Sequence, residues 1–383
     1  MTWRRLYPDY KYRSDKNLKI AVYTGKGASH SWIWLVSTLD KFGYRNIQFV
    51  RDVINVAADV LVISGGDPFA IFSHIQKKGV SRIRKFIEEG GTYIGVCAGA
   101  YFALRFHENP YPWLNMVRGS ISNYAETPPR NTLMPHKYTV PYREGFVFHP
   151  VREDVKLQYR MREVTAPLYG GPGMVPDADA ESLAVYTKFT AKTLFLCERK
   201  TAGDILLGTS ALLTKKAGKG RLLLFGPHFE HPYFPEANQE LVKMLSQVTG
   251  KGYPFHTAGT PATGVAKKSW LKELKRWISN GRLASFGLEN YYWKIGEKIY
   301  DPERLAYFFE TCFHITKLLE KWEDIYVLPD LPQEAYNLTL RTRKLGSDAQ
   351  EAEILLERLK KLTSNLYSLY FSTLQQLQPH QKP

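Results

Sequence analysis

The sequence predicts an α/β protein, in which a mostly parallel sheet is flanked by helices, followed by an all-α region. Through the first hundred residues, short apolar runs alternate with segments of helical spacing, as in strands joined by crossover helices. Beyond residue 266 the apolar residues recur every three or four positions. We therefore expect an α/β domain over 1–251, a linker rich in Gly, Pro, Thr and Ala over 252–266, and a helical domain over 267–383.

The elements of the first half are predicted in chain order from their spacing. Two amphipathic segments predict helices, from about Ser29 to Phe42 and from Phe69 to about Glu89. Apolar runs predict strands at Leu18–Tyr23, Asn46–Val50, Asp59–Ile63 and Thr92–Val96. Residues 107–190, rich in Pro, Tyr and Gly, predict short antiparallel strands with long loops. One more strand is predicted at Arg221–Phe225.

Two apolar stripes in the C-terminal region predict a pair of helices. Their members step by three and four residues: Leu305, Phe308, Cys312, Ile315, Leu319 and Trp322, then Ala352, Leu355, Leu359, Leu362, Leu366 and Leu369. A loop with Pro329 and Pro332 separates them, so we expect an antiparallel helical hairpin, preceded by a shorter helix around Trp270. Core packing accounts for the stripes. A homo-oligomer interface or a docking surface for a synthase partner is a further role open to these helices.

The charge is large but dispersed. The net charge is +15, and residues 266–383 carry 18 basic and 15 acidic side chains, so most of the excess lies before them. There it is scattered in pairs such as Lys77-Lys78. A basic surface that attracts anionic substrates accounts for this, and without a recognition module or clustered stripe we expect no nucleic-acid partner.

Composition also bears on compartment and cofactors. No run approaches the ~18 apolar residues of a membrane span, and Met1–Arg13 lacks the apolar core of a signal peptide. Three widely spaced cysteines argue against disulfides and predict a cytoplasmic protein. Histidines and cysteines nowhere show metal-ligand spacing, so neither a metal nor another cofactor is expected.

A cysteine at a strand-to-helix turn is the most informative feature of the chain. In Gly95-Val96-Cys97-Ala98-Gly99 the glycines two before and two after the cysteine suit the sharp turn that lifts a nucleophile above a sheet edge. The positive N-terminal end of the following helix favours a thiolate. Free cysteines are more often inert and buried, which is our interpretation of Cys197 and Cys312.

A His-x-Glu triplet follows the predicted strand at Arg221–Phe225. His228 would accept the thiol proton, and Glu230 would orient the imidazole and stabilise its charged form. His231 is a minor rival for the same task. We therefore predict a nucleophilic triad of Cys97, His228 and Glu230.

Attack on a carbonyl leaves an oxyanion that needs N–H donors. Ala98, next after the cysteine, would supply one, and Gly66 of the Gly65-Gly66 pair would supply the other. Gly65, Tyr101 and Tyr169 flank these motifs and are predicted to bind substrate.

These motifs together resemble the class I glutamine amidotransferase superfamily, in which a cysteine precedes His-x-Glu. They are Ser64-Gly65-Gly66, Gly95-Val96-Cys97-Ala98-Gly99 and Gly226-Pro227-His228-Phe229-Glu230. Within it, Gly95–Phe102 is most similar to the biotin–protein ligase N-terminal-domain family, with support from Tyr169-Gly170-Gly171-Pro172 and Gly218-Lys219-Gly220-Arg221. The resemblance covers about residues 17–250 and implies a flavodoxin-like, amidotransferase-like α/β fold.

The resemblance implies a cysteine-dependent hydrolase that attacks a small-molecule amide or acyl carbon through a thioester. Glutamine-hydrolysing members usually have glutamine four positions after the nucleophile; Tyr101 stands there, so glutamine is not implied as the substrate. The chain also lacks the glycine–arginine-rich adenylate loop of biotin ligases, so biotinylation is not predicted. The alternative is a catalytically silent binding or scaffold protein of the same fold, whose helical domain docks a partner.

Overall fold

In the computed structural model the described residues form two compact units. The description covers residues 18–105, 111–122, 139–142, 145–148, 150–251, 267–296, 298–322, 325 and 327–377. One unit holds residues up to 23, 27–45 and 50–253; the other holds 254–383 with the short segments Thr24–Lys26 and Asn46–Phe49. The predicted linker 252–266 lies outside the described residues, so the predicted domain limits stay a prediction. Among the described helices, none is long and apolar enough to cross a membrane.

The strands and helices are numbered here in chain order. The strands are β1 (Ile20–Tyr23), β2 (Ile47–Val50), β3 (Val60–Ile63), β4 (Thr92–Val96), β5 (Leu104–Arg105), β6 (Val117–Ser122), β7 (Thr139–Tyr142), β8 (Gly145–Phe148), β9 (Val151–Tyr159), β10 (Arg162–Leu168), β11 (Gly173–Pro176), β12 (Glu181–Phe189), β13 (Leu194–Phe195), β14 (Ser210–Ala217), β15 (Gly220–Phe225), β16 (Trp293–Ile295) and β17 (Lys298–Tyr300). The helices are α1 (Ser31–Lys41), α2 (Pro68–Glu88), α3 (Ala98–Ala103), α4 (Arg199–Leu206), α5 (Pro235–Leu245), α6 (Lys267–Phe286), α7 (Pro302–Leu319), α8 (Leu331–Lys344) and α9 (Ala349–Leu377).

The main sheet has a parallel part that matches the predicted fold class. Parallel ladders join β1 to β3, β3 to β4 and β4 to β15, and β2 lies beside β1. The spatial order β2-β1-β3-β4-β15 is the 2-1-3-4-5 order of flavodoxin-like sheets. Every residue of β1, β3 and β4 is buried, as expected for parallel strands covered on both faces. The predicted α/β fold class is confirmed.

Beyond β15 the sheet becomes antiparallel. β14 pairs with β15, β12 with β14, β9 with β12 and β10 with β9, all antiparallel. Short turns join β9 to β10 and β14 to β15, and a short connection can only reverse the chain direction. β9, β10 and β12 lie in the Pro-, Tyr- and Gly-rich segment for which antiparallel strands are predicted, and β14 follows it.

The turns around the parallel strands are specified locally. The side chain of Asp67 accepts the backbone N–H groups of Phe69 and Ala70, and Pro68 occupies the first helical position, so α2 begins there. A non-helical residue, Gln76 with φ of 55°, interrupts α2. At Gly220 a Cβ would overlap the carbonyl oxygen of Ile87, so this glycine lets β15 start against the end of α2.

The C-terminal unit is helical, as predicted, but it is more than a hairpin. α6 packs on α7 and α8, and α9 packs on α7. The segment predicted as a proline-bearing loop contains α8. Pro332 is tolerated there because it lies in the first turn, where backbone N–H groups have no intrahelical acceptor and the missing N–H of proline costs nothing. The unit also contains the antiparallel pair β16–β17, anchored where the indole of Trp293 donates to the carbonyl of Gly346 at 2.7 Å.

Candidate active site

Cys97 lies at a strained turn between β4 and α3. Its φ of 51° and ψ of −104° fall outside the regions that a residue with a side chain prefers. Such strain is characteristic of a nucleophile elbow and of functional sites in general. The backbone N–H of Cys97 donates to the carbonyl of Phe225 at 2.8 Å, which ties the elbow to the end of β15.

The two glycines of the elbow are required by close packing. A Cβ at Gly99 would overlap the carbonyl oxygen of Ile63, the last residue of β3. A Cβ at Gly95 would overlap the carbonyl oxygen of Gly99. The predicted elbow is therefore held between two neighbouring strand ends, with no room for a methyl group on either side.

His228 and Glu230 follow β15 and lie together in the interior. His228 Nδ1 donates to Glu230 Oε1 at 2.8 Å, and His228 is fixed from behind by a backbone bond from its N–H to the carbonyl of Pro167 at 2.9 Å. The side chain of Cys97 is near enough to the same imidazole to raise its pKa. Because Nδ1 is engaged by the Glu230 carboxylate, Nε2 is the ring nitrogen left to interact with the sulfur. The structure thus places the three predicted triad residues next to one another.

The surroundings of His228 favour its charged form. Burial alone would lower the pKa of His228, because it disfavours the charged imidazolium. The charge and hydrogen bond of Glu230, together with the nearby Cys97, outweigh burial and raise this pKa to about 10. A histidine whose pKa is raised in this way can hold a proton next to a cysteine, as the predicted triad requires.

His231, the rival base, has a different environment. Burial, followed by the positive charges of His228 and Lys41, lowers the pKa of His231 to about 3. Its Nδ1 accepts the backbone N–H of Tyr233 at 3.4 Å. A histidine that stays neutral and faces another cation does not take the proton of Cys97, so the geometry favours His228.

Tyr169 reaches this site through the loop after β10. The sulfur of Cys97 lies 4.0 Å from the Tyr169 carbonyl oxygen, and the Tyr169 ring lies 5.8 Å from the ring of His228. A Cβ at Gly171 would overlap the carbonyl of Gly226, so this loop fits directly against the turn that carries His228. The phenol donates to Glu153 at 3.0 Å, and burial, then the charge of Glu153, raises the pKa of Tyr169.

The predicted oxyanion donors lie at the adjacent ends of β3 and β4. Ala98 is the first residue of α3, where a helix leaves its N–H groups without intrahelical partners. Gly66 lies opposite Ala28 in an isolated antiparallel β-bridge. The two hydrogen bonds of this bridge are made by the neighbouring residues: Ser29 N–H donates to Gly65 O at 2.9 Å, and Asp67 N–H donates to Gly27 O at 2.8 Å. Within the described residues, neither the Gly66 nor the Ala98 N–H has a backbone acceptor. Their role as oxyanion donors stays a prediction.

Gly65 and Tyr101 are, with Tyr169, the residues predicted to bind substrate. A Cβ at Gly65 would lie 2.8 Å from His228 Cε1, so this glycine makes room for the imidazole. Tyr101 lies one turn after Cys97 in α3, 8% exposed, with its N–H bonded to the Cys97 carbonyl at 3.0 Å. Substrate binding by either residue stays a prediction.

Trp34 and Ser31 belong to none of the predicted motifs, and Ser64 belongs to one but has no predicted role at the site. Trp34 of α1 lies 5.4 Å from the ring of His228, 5.7 Å from that of Tyr169 and 4.4 Å from that of His231. Ser31 and Ser64 are buried and hydrogen-bonded to each other at 2.8 Å. Spacing alone places Trp34 on a helix face, and no signal in the sequence marks it as a neighbour of His228. Among the described residues, no group of three His, Cys, Asp or Glu side chains is arranged to hold a metal ion.

Part of the chain is similar to known proteins. Residues 18–109 match the family model described as biotin-protein ligase, N terminal. An uncharacterized protein of Chlamydia muridarum (strain MoPn / Nigg) is 24% identical over 234 residues, which cover 57% of this chain and 82% of that protein.

Solved structures are similar at low identity. A ThuA-like protein from Bacteroides uniformis has 11% identity and a TM-score of 0.37, and the match covers 64% of this chain and 97% of that one. A GH42 β-galactosidase from G. stearothermophilus has 14% identity and a TM-score of 0.34; the match covers 60% of this chain and spans only 30% of the galactosidase. The family model that matches residues 18–109 is the one that the motifs of this segment resemble.

Proposed function

We propose that this chain is a cysteine-dependent, amidotransferase-like hydrolase in which Cys97 attacks an amide or related acyl carbon. The observation that carries the proposal is the buried line from Cys97 through His228 to Glu230, with Nδ1 of His228 2.8 Å from the carboxylate. The strained elbow supports it, since φ of 51° at a cysteine costs free energy that packing alone does not require.

The proposed reaction proceeds in two steps. The Cys97 thiolate forms a C–S bond with the acyl carbon, and charge on the carbonyl oxygen is received by the N–H groups of Ala98 and Gly66. The C–N bond breaks as the His228 imidazolium gives its proton to the leaving amine. Water, losing a proton to the now neutral His228, then cleaves the thioester and releases the acid. Glu230 keeps the imidazole in one tautomer throughout.

The surroundings of Cys97 favour a small substrate with an apolar or aromatic part. Trp34 and Tyr169 present ring faces and edges beside His228, and the Tyr169 carbonyl offers a hydrogen-bond acceptor next to the sulfur. Tyr101 stands where glutamine-hydrolysing relatives usually have glutamine, so amides other than glutamine are included in the proposal.

The proposal is tested by trapping the acyl-enzyme. With p-nitrophenyl acetate we expect one acetyl group on Cys97, located by peptide mass spectrometry, and release of p-nitrophenol in a burst. Glu230→Gln should slow acylation at least a hundredfold, because the amide does not stabilise the imidazolium. Acetylation spread over surface lysines, with the same rate in Glu230→Gln, would contradict the proposal and favour a silent site.

A further inference from the structure

We propose that Ser64, supported by Ser31 and Ser29, is a positioning residue that polarises the Glu230 carboxylate and thereby weakens the hold of the neighbouring His228 on its proton. The inference rests on the proposed function for its catalytic consequence. Its structural basis is a chain of three serine hydroxyls that ends on the carboxylate.

The hydroxyl chain is continuous and buried at its inner end. Ser64 Oγ lies 3.0 Å from Glu230 Oε1, Ser31 Oγ lies 2.8 Å from Ser64 Oγ, and Ser29 Oγ lies 2.9 Å from Ser31 Oγ. Ser31, Ser64 and Glu230 are buried, while Ser29 is half-buried. The chain therefore leads from the carboxylate towards the surface.

The direction of every hydrogen bond in the chain follows from the carboxylate. An ionised carboxylate only accepts, so Ser64 uses its single O–H proton on Glu230. Ser64 can then only accept from Ser31, and Ser31 in turn can only accept from Ser29. All three hydroxyl dipoles therefore point their positive ends at Glu230, and such aligned hydrogen bonds strengthen one another.

The packing around Gly65 keeps this chain next to the imidazole. A Cβ at Gly65 would lie 2.9 Å from Ser31 Oγ and 2.8 Å from His228 Cε1. The glycine thus separates the two groups with backbone alone. This close approach explains why the residue after Ser64 is a glycine.

The carboxylate needs the serine chain because of its burial. Glu230 is 0% exposed, and within the described residues its Oε2 has no hydrogen-bond partner. Oε1 therefore receives both the imidazole and Ser64. Positive dipole ends aimed at a site stabilise its negative charges and weaken its hold on protons. Without Ser64, His228 should therefore retain its proton to higher pH.

The other titratable groups at the site do not replace this effect. His231 is neutral over the relevant range, since burial first, then the charges of His228 and Lys41, lowers its pKa to about 3. Burial raises the pKa of Tyr169 and, more strongly, that of Tyr186, whose pKa is raised further by the charge of Cys97. Both phenols therefore stay protonated while His228 titrates.

The test follows the titration of His228 in the full-length protein, by NMR of 13C-labelled histidine between about pH 7 and 11. Ser64→Ala should raise the midpoint of His228 by about one pH unit, the size expected for one hydrogen bond to a charged group. Ser31→Ala should raise it less, because Ser64 still donates. Ser64→Thr keeps the hydroxyl and should restore the midpoint.

Thr38→Val is the matched control, because Thr38 donates at 2.9 Å to the backbone carbonyl of Glu230 and not to its carboxylate. This variant should lose stability without moving the midpoint. An unchanged or lowered midpoint in Ser64→Ala, or an equal rise in Thr38→Val, overturns the proposal. The NMR readout is independent of turnover. If Ser64→Ala raises the His228 midpoint but Cys97 proves unreactive, the role of the serine chain is upheld and the proposed function is rejected. If Cys97 is reactive but the His228 midpoint does not move, the proposed function is upheld and the role of the serine chain is rejected.

Discussion

Cys97→Ser is expected to reduce turnover of p-nitrophenyl acetate at least a thousandfold while leaving the thermal midpoint nearly unchanged. In the proposed mechanism the thiolate forms the only covalent bond to the substrate, and a serine hydroxyl at the same position stays protonated. The replacement is nearly isosteric, so packing around the buried side chain is preserved. Turnover is measured by steady-state kinetics and stability by calorimetry.

A double variant gives this prediction its control. Triad members act as a unit, so Cys97→Ser combined with His228→Gln should be about as slow as either single variant. His228→Gln is preferable to alanine, because the amide still donates to a Glu230 carboxylate that would otherwise be buried without its cation. Losses that multiply in the double variant would mean that the two residues act independently and not as a unit. A serine variant that retains activity would mean that hydrolysis occurs elsewhere on the surface.

Gly99→Ala is expected to cost about 3 kcal/mol of unfolding free energy, a large value for the addition of one methyl group. The new Cβ would overlap the backbone oxygen of Ile63, and neither the strand nor the helix turn can rotate away as a side chain would. The elbow should also shift, so Cys97 should lose its contact with His228. Urea unfolding measures the first effect and alkylation of Cys97 the second.

Gly203→Ala provides the matched comparison for that variant. Gly203 lies in α4, and a Cβ there would be 3.7 Å from Leu207 and 3.9 Å from Phe189, which is ordinary contact. Helix propensity favours alanine over glycine by about 1 kcal/mol, so this variant should be neutral or more stable. If both variants behaved alike, the close approach of α3 to β3 would be wrong.

The sequence predicts the parts of the site that depend on backbone conformation. Glycines at 95 and 99 mark the elbow because nothing larger fits where α3 lies against β4 and against Ile63. His-x-Glu places two side chains at one strand end. The parallel strands β1, β3 and β4 are predictable because their burial on both faces leaves continuous apolar runs.

The remaining features depend on which side chains meet in three dimensions. Trp34 has the same helical spacing as its core neighbours, and only the fold shows its ring beside His228. The serines at 31 and 64 are separated by 33 positions, and serines are too common for such a pair to be recognised. In the C-terminal unit the sequence predicts a loop at Pro332, but this residue lies in the first turn of α8. Proline is common both in loops and at the start of helices, so its position alone does not distinguish the two.

The most direct test of an activated Cys97 is the pH dependence of its alkylation by iodoacetamide, located by peptide mass spectrometry. Cys197→Ala removes the half-buried competitor, and Cys312 is buried, which raises the pKa of its thiol to about 12. We expect the rate constant for Cys97 to change little between about pH 6 and 8, where an ordinary thiol of pKa ~8.5 slows nearly tenfold per unit. In His228→Gln the alkylation rate of Cys97 should instead fall with decreasing pH as it does for an ordinary thiol. A rate that falls tenfold per unit in both proteins would contradict an activated nucleophile at Cys97.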